Sequence, residues 1–221
     1  VKIFITGGTG YMGQRLIPEL LKRGHEVTAL VRDGSEKKLP AGCRAVVGDA
    51  LRAESYRQHV TPADTFVHLI GVSHPNPAKA EQFRTIDLVS VEAAVPAARD
   101  AGIKHFVYLS VAQPAPVMQE YNAVRAQGEA LIRAAGMNAT FLRPWYVLGP
   151  GHWWPYAILP VFWICQLVPA TREGARRLRP VTLRQMIGAL VWAVENPASG
   201  VRIVDVPQIR ECGSRPSSAS M

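Results

Sequence analysis

The chain has 221 residues, of which 48% are apolar and 19% charged, a balance that excludes a disordered or fibrous protein and suits one domain rather than two large ones. A formal charge of +8 favours an anionic partner without choosing among a nucleotide phosphate, a nucleic acid and an acidic membrane. Three widely spaced cysteines, Cys43, Cys165 and Cys212, form no CxxC pair and have no histidine nearby, so they read as reduced thiols and no metal site is expected.

The first residues, Val1 to Thr6, are a short β-branched apolar run that breaks into TGGTGYMG. A helix follows over Tyr11 to Arg23, with Met12, Leu16, Ile17, Leu20 and Leu21 at helical spacing and Pro18 inside it. Gly24 stops that helix, and Glu26 to Val31 reads as a second strand. The third strand is Arg44 to Val47, the fourth Thr65 to Ile70 and the fifth His105 to Ser110. Between the last two, Ala78 to Ala101 carries Phe83, Ile86, Val89, Ala93, Ala97 and Ala101 on one helical face. Met118 to Ala135 is a further helix ended by Gly136, and Ala139 to Leu142 a sixth strand. Strands alternating with helices predict an α/β, doubly wound parallel sheet, a Rossmann fold.

From Pro144 the pattern loosens into a small irregular lobe over about residues 145–206, with helices predicted near Pro155 to Leu167 and Leu183 to Glu195 and a last strand at Val201 to Val206. Residues 1–206 are read as one domain and residues 207–221 as a disordered tail. The start lacks the basic region and cleavage site of a secretory signal, so a cytoplasmic location is expected.

Gly7, Gly10 and Gly13 give the spacing GxxGxxG between the first strand and first helix, where glycines admit a dinucleotide pyrophosphate to the amides of the helix start. Thr9, Tyr11 and Met12 belong to the same loop. The second strand ends at Val31, so Arg32 stands where the adenosine ribose should lie. A guanidinium there pairs with a 2′-phosphate, with help from Arg15 and from Lys37 or Lys38, and predicts NADP(H) in preference to NAD(H). Asp33 is the competing reading, as a carboxylate for an unphosphorylated ribose.

TGGTGYMG, GDA at 48–50, YLS at 108–110, Tyr121 and TFLRP at 140–144 occur in an order that resembles the atypical and extended branches of the short-chain dehydrogenase/reductase superfamily. The resemblance includes NmrA-like members and those similar to an accessory subunit of respiratory complex I, and it covers about residues 1–206. It implies that Asp49, Ala50, Leu69, Gly71, Pro144 and Val147 line the cofactor. Active members use a Ser, a Tyr and the Lys of a YxxxK motif. Ser110 and Tyr121 match, but the lysine position holds Arg125, and the signature is incomplete. Two readings follow: Arg125 supports Tyr121 in chemistry, or Tyr121 merely packs beside the cofactor while Arg125 pairs with Glu129 one turn later. His74, in the loop GVSHPNP, reads as a loop residue rather than a base.

Trp145 to Ala170 runs for 26 residues without Asp, Glu, Lys or Arg and is rich in aromatics, but Pro150, Pro155, Pro160 and Pro169 argue against a membrane span. It reads as an apolar substrate wall, and with Arg172, Arg176, Arg177, Arg179 and Arg184 just beyond it also suits a membrane surface or a dimer contact. No recognition motif accompanies the charge, which sets nucleic acid aside. The expected activity is hydride transfer to a small apolar carbonyl or quinone; the rival is a non-catalytic dinucleotide-binding sensor or scaffold.

Overall fold

The computed structural model describes residues 1–114, 117–151, 172–174 and 177–214. The helix expected at Pro155 to Leu167 and most of the uncharged stretch lie outside them.

Six predicted strands appear in place: β1 (Lys2–Thr6), β2 (Glu26–Val31), β3 (Arg44–Val47), β4 (Thr65–His68), β5 (His105–Leu109) and β6 (Ala139–Arg143). Val147–Leu148 and Val181–Thr182 add a small two-stranded pair, β7 and β8, and β9 is Val201–Asp205. The main sheet is parallel throughout, in the order β3-β2-β1-β4-β5-β6-β9. This is the doubly wound arrangement that the alternation predicts. The order reverses between β1 and β4, and the carboxyl ends of those strands open the crevice in which such sheets bind dinucleotides.

Both faces of the sheet are covered, so its strands are apolar on both sides. On one face α1 (Gly13–Lys22) sets Leu16, Ile17 and Leu20 against Ile3, Ile5, Val27 and Ala29. On the other, Phe4, Phe66 and Phe106 share one register across β1, β4 and β5, with ring centroids 5.3 and 5.0 Å apart. Helices α2 (Ala80–Gln82) and α3 (Val89–Asp100) flank a π-helical segment, Phe83–Leu88, and this composite packs with α4 (Gln119–Ala134) over the aromatic row.

The inward face is offset from the expected one. A regular 3.6-residue period over Ala78 to Ala101 predicts a face through Ile86, Val89 and Ala93, whereas the buried residues are Phe83, Asp87, Ser90, Val91, Ala94, Val95, Ala97 and Ala98. Asp87 lies four positions after Phe83 and shares its buried face, which Ser90, Val91, Ala94 and Ala98 continue.

Helix α5 (Leu183–Glu195) starts on a capping box, in which Gln185 N–H donates to the Thr182 hydroxyl and the Gln185 side chain accepts from Thr182 N–H. The chain beyond β9 departs from the expectation of a tail from residue 207. Val206–Cys212 forms α6, with Val206 and Ile209 fully buried. Gly213 then lies so close to the Gln185 carbonyl that no side chain fits there. Apolar residues in a short sequence rich in polar groups hold this helix down; residues 215–221 lie outside the described residues.

Candidate active site

The loop after β1 is shaped by close approaches. Gly7 has φ +81°, and a Cβ there would stand 2.9 Å from the Leu69 carbonyl carbon, so this position needs both the left-handed backbone and the missing side chain. A Cβ at Gly13 would collide with the Gly7 and Gly8 carbonyls. Gly10 N–H donates to Gly7 O at 3.0 Å, closing the turn from which α1 departs. Gln14 N–H donates to Gly10 O at 3.0 Å and Arg15 N–H to Met12 O at 3.1 Å, and with no acidic side chain in its first turn the helix start presents its positive dipole to an anion. These are the features a pyrophosphate requires, and the residues present fit a dinucleotide.

Around the loop, Tyr11 and Met12 are half-buried and Gly10 is exposed. Arg15 Nη1 donates to Tyr11 O at 2.8 Å and its guanidinium lies 4.2 Å over the Tyr11 ring. That ties Arg15's charge to the glycine loop. Arg32 and Asp33 are both exposed directly after β2, in a turn closed by Ser35 N–H to Arg32 O at 3.0 Å. Asp49 caps its own turn by accepting Leu51 N–H at 3.0 Å, and its other oxygen stands 3.9 Å from Arg52. Ala50 is half-buried beside it, and Thr9, Leu69 and Val147 are likewise half-buried, whereas Pro144 is buried. His74 sits in an exposed loop at φ +50°.

At the carboxyl ends of β4 and β5 stands the pair from α4. Tyr121 is half-buried, its ring packed 5.0 Å from Phe83 and 5.2 Å from the Arg125 guanidinium carbon. Arg125 does not pair with Glu129, as one of the two readings expects. Its Nη2 donates to Asp87 Oδ1 at 2.8 Å and its Nη1 to Leu109 O at 3.0 Å and Ile70 O at 3.2 Å. Arg125 is 3% exposed and Asp87 fully buried. The exposed Gly71 lies directly against this guanidinium, where a Cβ would collide with Nη2.

Burial pushes the Asp87 carboxyl up, against the opposite pull of Arg125 and the Val72 N–H that Asp87 accepts at 3.1 Å. Burial also disfavours charge on Arg125, but Tyr121, Tyr108 and Asp87 outweigh it and hold the guanidinium charged. Below the pair, the Thr6 hydroxyl and His68 Nδ1 are 2.9 Å apart, His68 Nε2 and Ser90 Oγ 3.1 Å apart, and Ser90 Oγ donates to Asp87 O at 2.8 Å. Since Ser90 gives its proton to the carbonyl, it accepts from His68 Nε2–H, and Nδ1 accepts from Thr6: one neutral tautomer satisfies the chain. Burial, with Arg125 nearby, takes His68 down to about 3.

Ser110 faces away from this chemistry. It is 3% exposed and its hydroxyl donates to the buried Glu129 Oε1 at 2.7 Å. Glu129 also accepts from Arg143 Nε at 2.8 Å and Arg133 Nη2 at 3.0 Å. The role expected for Ser110, polarising a substrate oxygen, is not what this arrangement provides, because a strong anionic acceptor holds its proton inside the protein. The Arg143 of TFLRP likewise serves Glu129. Asp87 was missed by sequence reasoning altogether; Glu81, Arg84 and Glu92 share its helical stretch, and nothing in the sequence set this carboxylate apart.

Residues 7–150 match a family model described as NAD(P)H-binding. The chain belongs to this NAD(P)H-binding family. Its curated relatives include a 4-hydroxy-2-methyl-3-oxo-4-farnesyl-3,4-dihydroquinoline-1-oxide ketoreductase of Stigmatella aurantiaca, 28% identical over 67% of this chain and 51% of the relative. A ceramide reductase of Caulobacter vibrioides is 25% identical over 96% of this chain and 66% of the relative. The chain thus spans about half to two thirds of the length of these proteins. Among solved structures, the Bordetella bronchiseptica enzyme WbmH in complex with NAD+ superposes with a TM-score of 0.67 at 23% identity, over 90% of this chain and 74% of that one. A UDP-galactose 4-epimerase gives 0.69 at 18%, over 96% and 81%. These likenesses show the shared Rossmann fold, in keeping with the resemblance to short-chain dehydrogenases/reductases carried by the sequence motifs.

Proposed function

We propose that this NAD(P)H-binding protein is a reductase that moves hydride from NADPH to an apolar carbonyl or quinone. The observation that carries the reading is the placement of Tyr121, half-buried and 5.2 Å from the Arg125 guanidinium, which is itself fixed to the Ile70 and Leu109 carbonyls. Bound NADPH supplies the hydride. Tyr121 donates its phenolic proton to the substrate oxygen as hydride reaches the carbon, and its partial exposure lets solvent return the proton. Arg125 cannot relay that proton, because a guanidinium does not deprotonate. Reduction therefore suits this site better than oxidation, which would need Tyr121 to start as a phenolate.

The preference for NADPH is supported by Arg32, exposed at the end of β2. An apolar substrate is supported by the uncharged aromatic run from Trp145 and by the relatives, whose names specify a farnesyl-bearing quinoline oxide and a ceramide.

A second reading is favoured by a specific observation: Asp87 neutralises Arg125 and Glu129 holds the Ser110 proton, so two of the three usual catalytic positions are occupied with internal partners. That reading is a dinucleotide-responsive sensor or scaffold. NADPH oxidation over a panel of quinones and aldehydes, with Tyr121→Phe alongside, separates the two. Turnover that falls at least tenfold in Tyr121→Phe supports the reductase; tight NADPH binding with no turnover on any acceptor supports the sensor.

A further inference from the structure

The π-helical segment meets α4 in a matched pattern. Phe83 packs on Tyr121 and Asp87 bonds Arg125, so two positions four apart on one element grip the two chemical positions four apart on the other. Arg84 and Glu120 close the outer side of the same contact with an ion pair. The segment is itself fixed to β4 through His68, Ser90 and the Asp87 carbonyl. Asp87 points inward on the same face as Phe83, four positions earlier.

This geometry leaves Arg125 little freedom. Its two terminal nitrogens are committed to Asp87 and to the carbonyls of Ile70 and Leu109, and only its face is turned to the Tyr121 ring. A lysine at this position would bring a mobile ammonium; the guanidinium here is pinned, and its charge is matched by a carboxylate at 2.8 Å.

We infer that Asp87 is the positioning residue of the Tyr121–Arg125 pair: it locks the guanidinium against the ends of β4 and β5, with its face beside the Tyr121 ring, and matches its charge. The chemical use of the pair rests on the reductase reading; the placement of the guanidinium in the apo protein does not. The charged and titratable groups facing this cluster are Arg125 and Glu120 on α4, Asp87 and Arg84 on the π segment, Tyr108 on β5 and the neutral His68 on β4. Of these, only Asp87 carries a negative charge bonded to Arg125.

The test is alkaline titration of tyrosinate absorbance in the apo protein, with Tyr121→Phe subtracted so that the Tyr121 signal is isolated. Asp87→Asn keeps an oxygen for Val72 N–H but removes the charge, exposing the phenol to an uncompensated cation. The Tyr121 midpoint is expected to fall by about one pH unit, a tenfold rise in phenol acidity. In an Arg125→Met background the same Asp87→Asn change is expected to leave the midpoint where that background puts it. An unchanged midpoint in the first case, or an equal shift in both, overturns the inference and makes Asp87 a structural partner only. Should Asp87→Asn not fold, Asp87→Glu keeps the charge but displaces the guanidinium, and a midpoint equal to wild type would overturn the inference in the same way. Failure to find any turnover sinks the reductase reading without touching this result.

Discussion

Ser110 donates its hydroxyl proton to Glu129 Oε1 across 2.7 Å, inside the protein and away from the crevice where a substrate would bind. In a family pattern that expects this serine to touch substrate, the bond reassigns it to the scaffold. Removing the hydroxyl should therefore affect stability more than chemistry. Ser110→Ala is expected to lower stability by about 1–2 kcal/mol, leaving Glu129 with one donor fewer, while NADPH affinity and any reductive kcat stay within about twofold. A kcat loss of a hundredfold with an unchanged melting temperature would return Ser110 to catalysis.

Glu129 itself is the stronger structural element. It is 1% exposed in its side chain and accepts from Ser110, Arg143 and Arg133, joining β5, β6 and α4. Glu129→Ala would leave Arg143 beside an empty anion position. Removing one partner of a buried ion pair costs about 3–5 kcal/mol, so this variant is expected to unfold at markedly lower denaturant than Ser110→Ala.

The proposed preference for NADPH rests on Arg32. It follows β2 directly and is exposed, with no carboxylate bonded to it among the described residues. Arg32→Ala should weaken NADPH binding roughly tenfold to a hundredfold, the worth of about one to two charge-assisted hydrogen bonds, and leave NADH within about threefold. Fluorescence titration with both cofactors reads this directly. Equal weakening of the two would shift the ribose role to Asp33.

Much of the fold was legible because a doubly wound sheet repeats one simple signal: apolar runs such as FVYL at 106–109 between helices ended by Gly24 and Gly136. The glycine loop was legible for the same local reason. What could not be seen was set by contacts between distant segments. Arg125 has Glu129 one turn away on its own helix and Asp87 38 positions back, and only packing chooses the second. Asp87 shares the face of Phe83, four positions earlier, but a face traced through apolar residues alone passes over a carboxylate. Helix α6 was read as tail because Val206 and Ile209 are too few to make a periodic pattern, although both are fully buried.

Gly71 is exposed and lies against the Arg125 guanidinium. Gly71→Ala would drive a methyl group into Nη2, and the guanidinium cannot withdraw without breaking the Nη2 bond to Asp87 or the Nη1 bonds to the Ile70 and Leu109 carbonyls. The variant should lose about 1–3 kcal/mol of stability from overpacking and bind NADPH at least tenfold more weakly, since the crevice floor moves. The cofactor effect distinguishes it from an equally destabilising change in the distant core, such as Ile132→Val, which is expected to leave affinity intact.

Two buried histidines make the fold sensitive to acid. Burial takes His68 down to about 3 and, with Arg202 nearby, His105 down to about 4; His105 Nε2 lies 2.9 Å from the Thr140 hydroxyl. Both take up protons near pH 6.5 once the chain unfolds. Between that pH and about 4 the unfolded state therefore binds more protons than the folded one, and stability falls as pH falls. Each histidine contributes a slope of roughly 1.4 kcal/mol per pH unit in that window. Asp87, pushed up by burial, works in the opposite direction and offsets part of it. Urea unfolding at about pH 7 and about pH 5.5 measures the difference, and His105→Gln, whose amide can still meet Thr140, should remove close to half of the histidine contribution. Identical slopes in wild type and His105→Gln would mean that the acid sensitivity arises elsewhere.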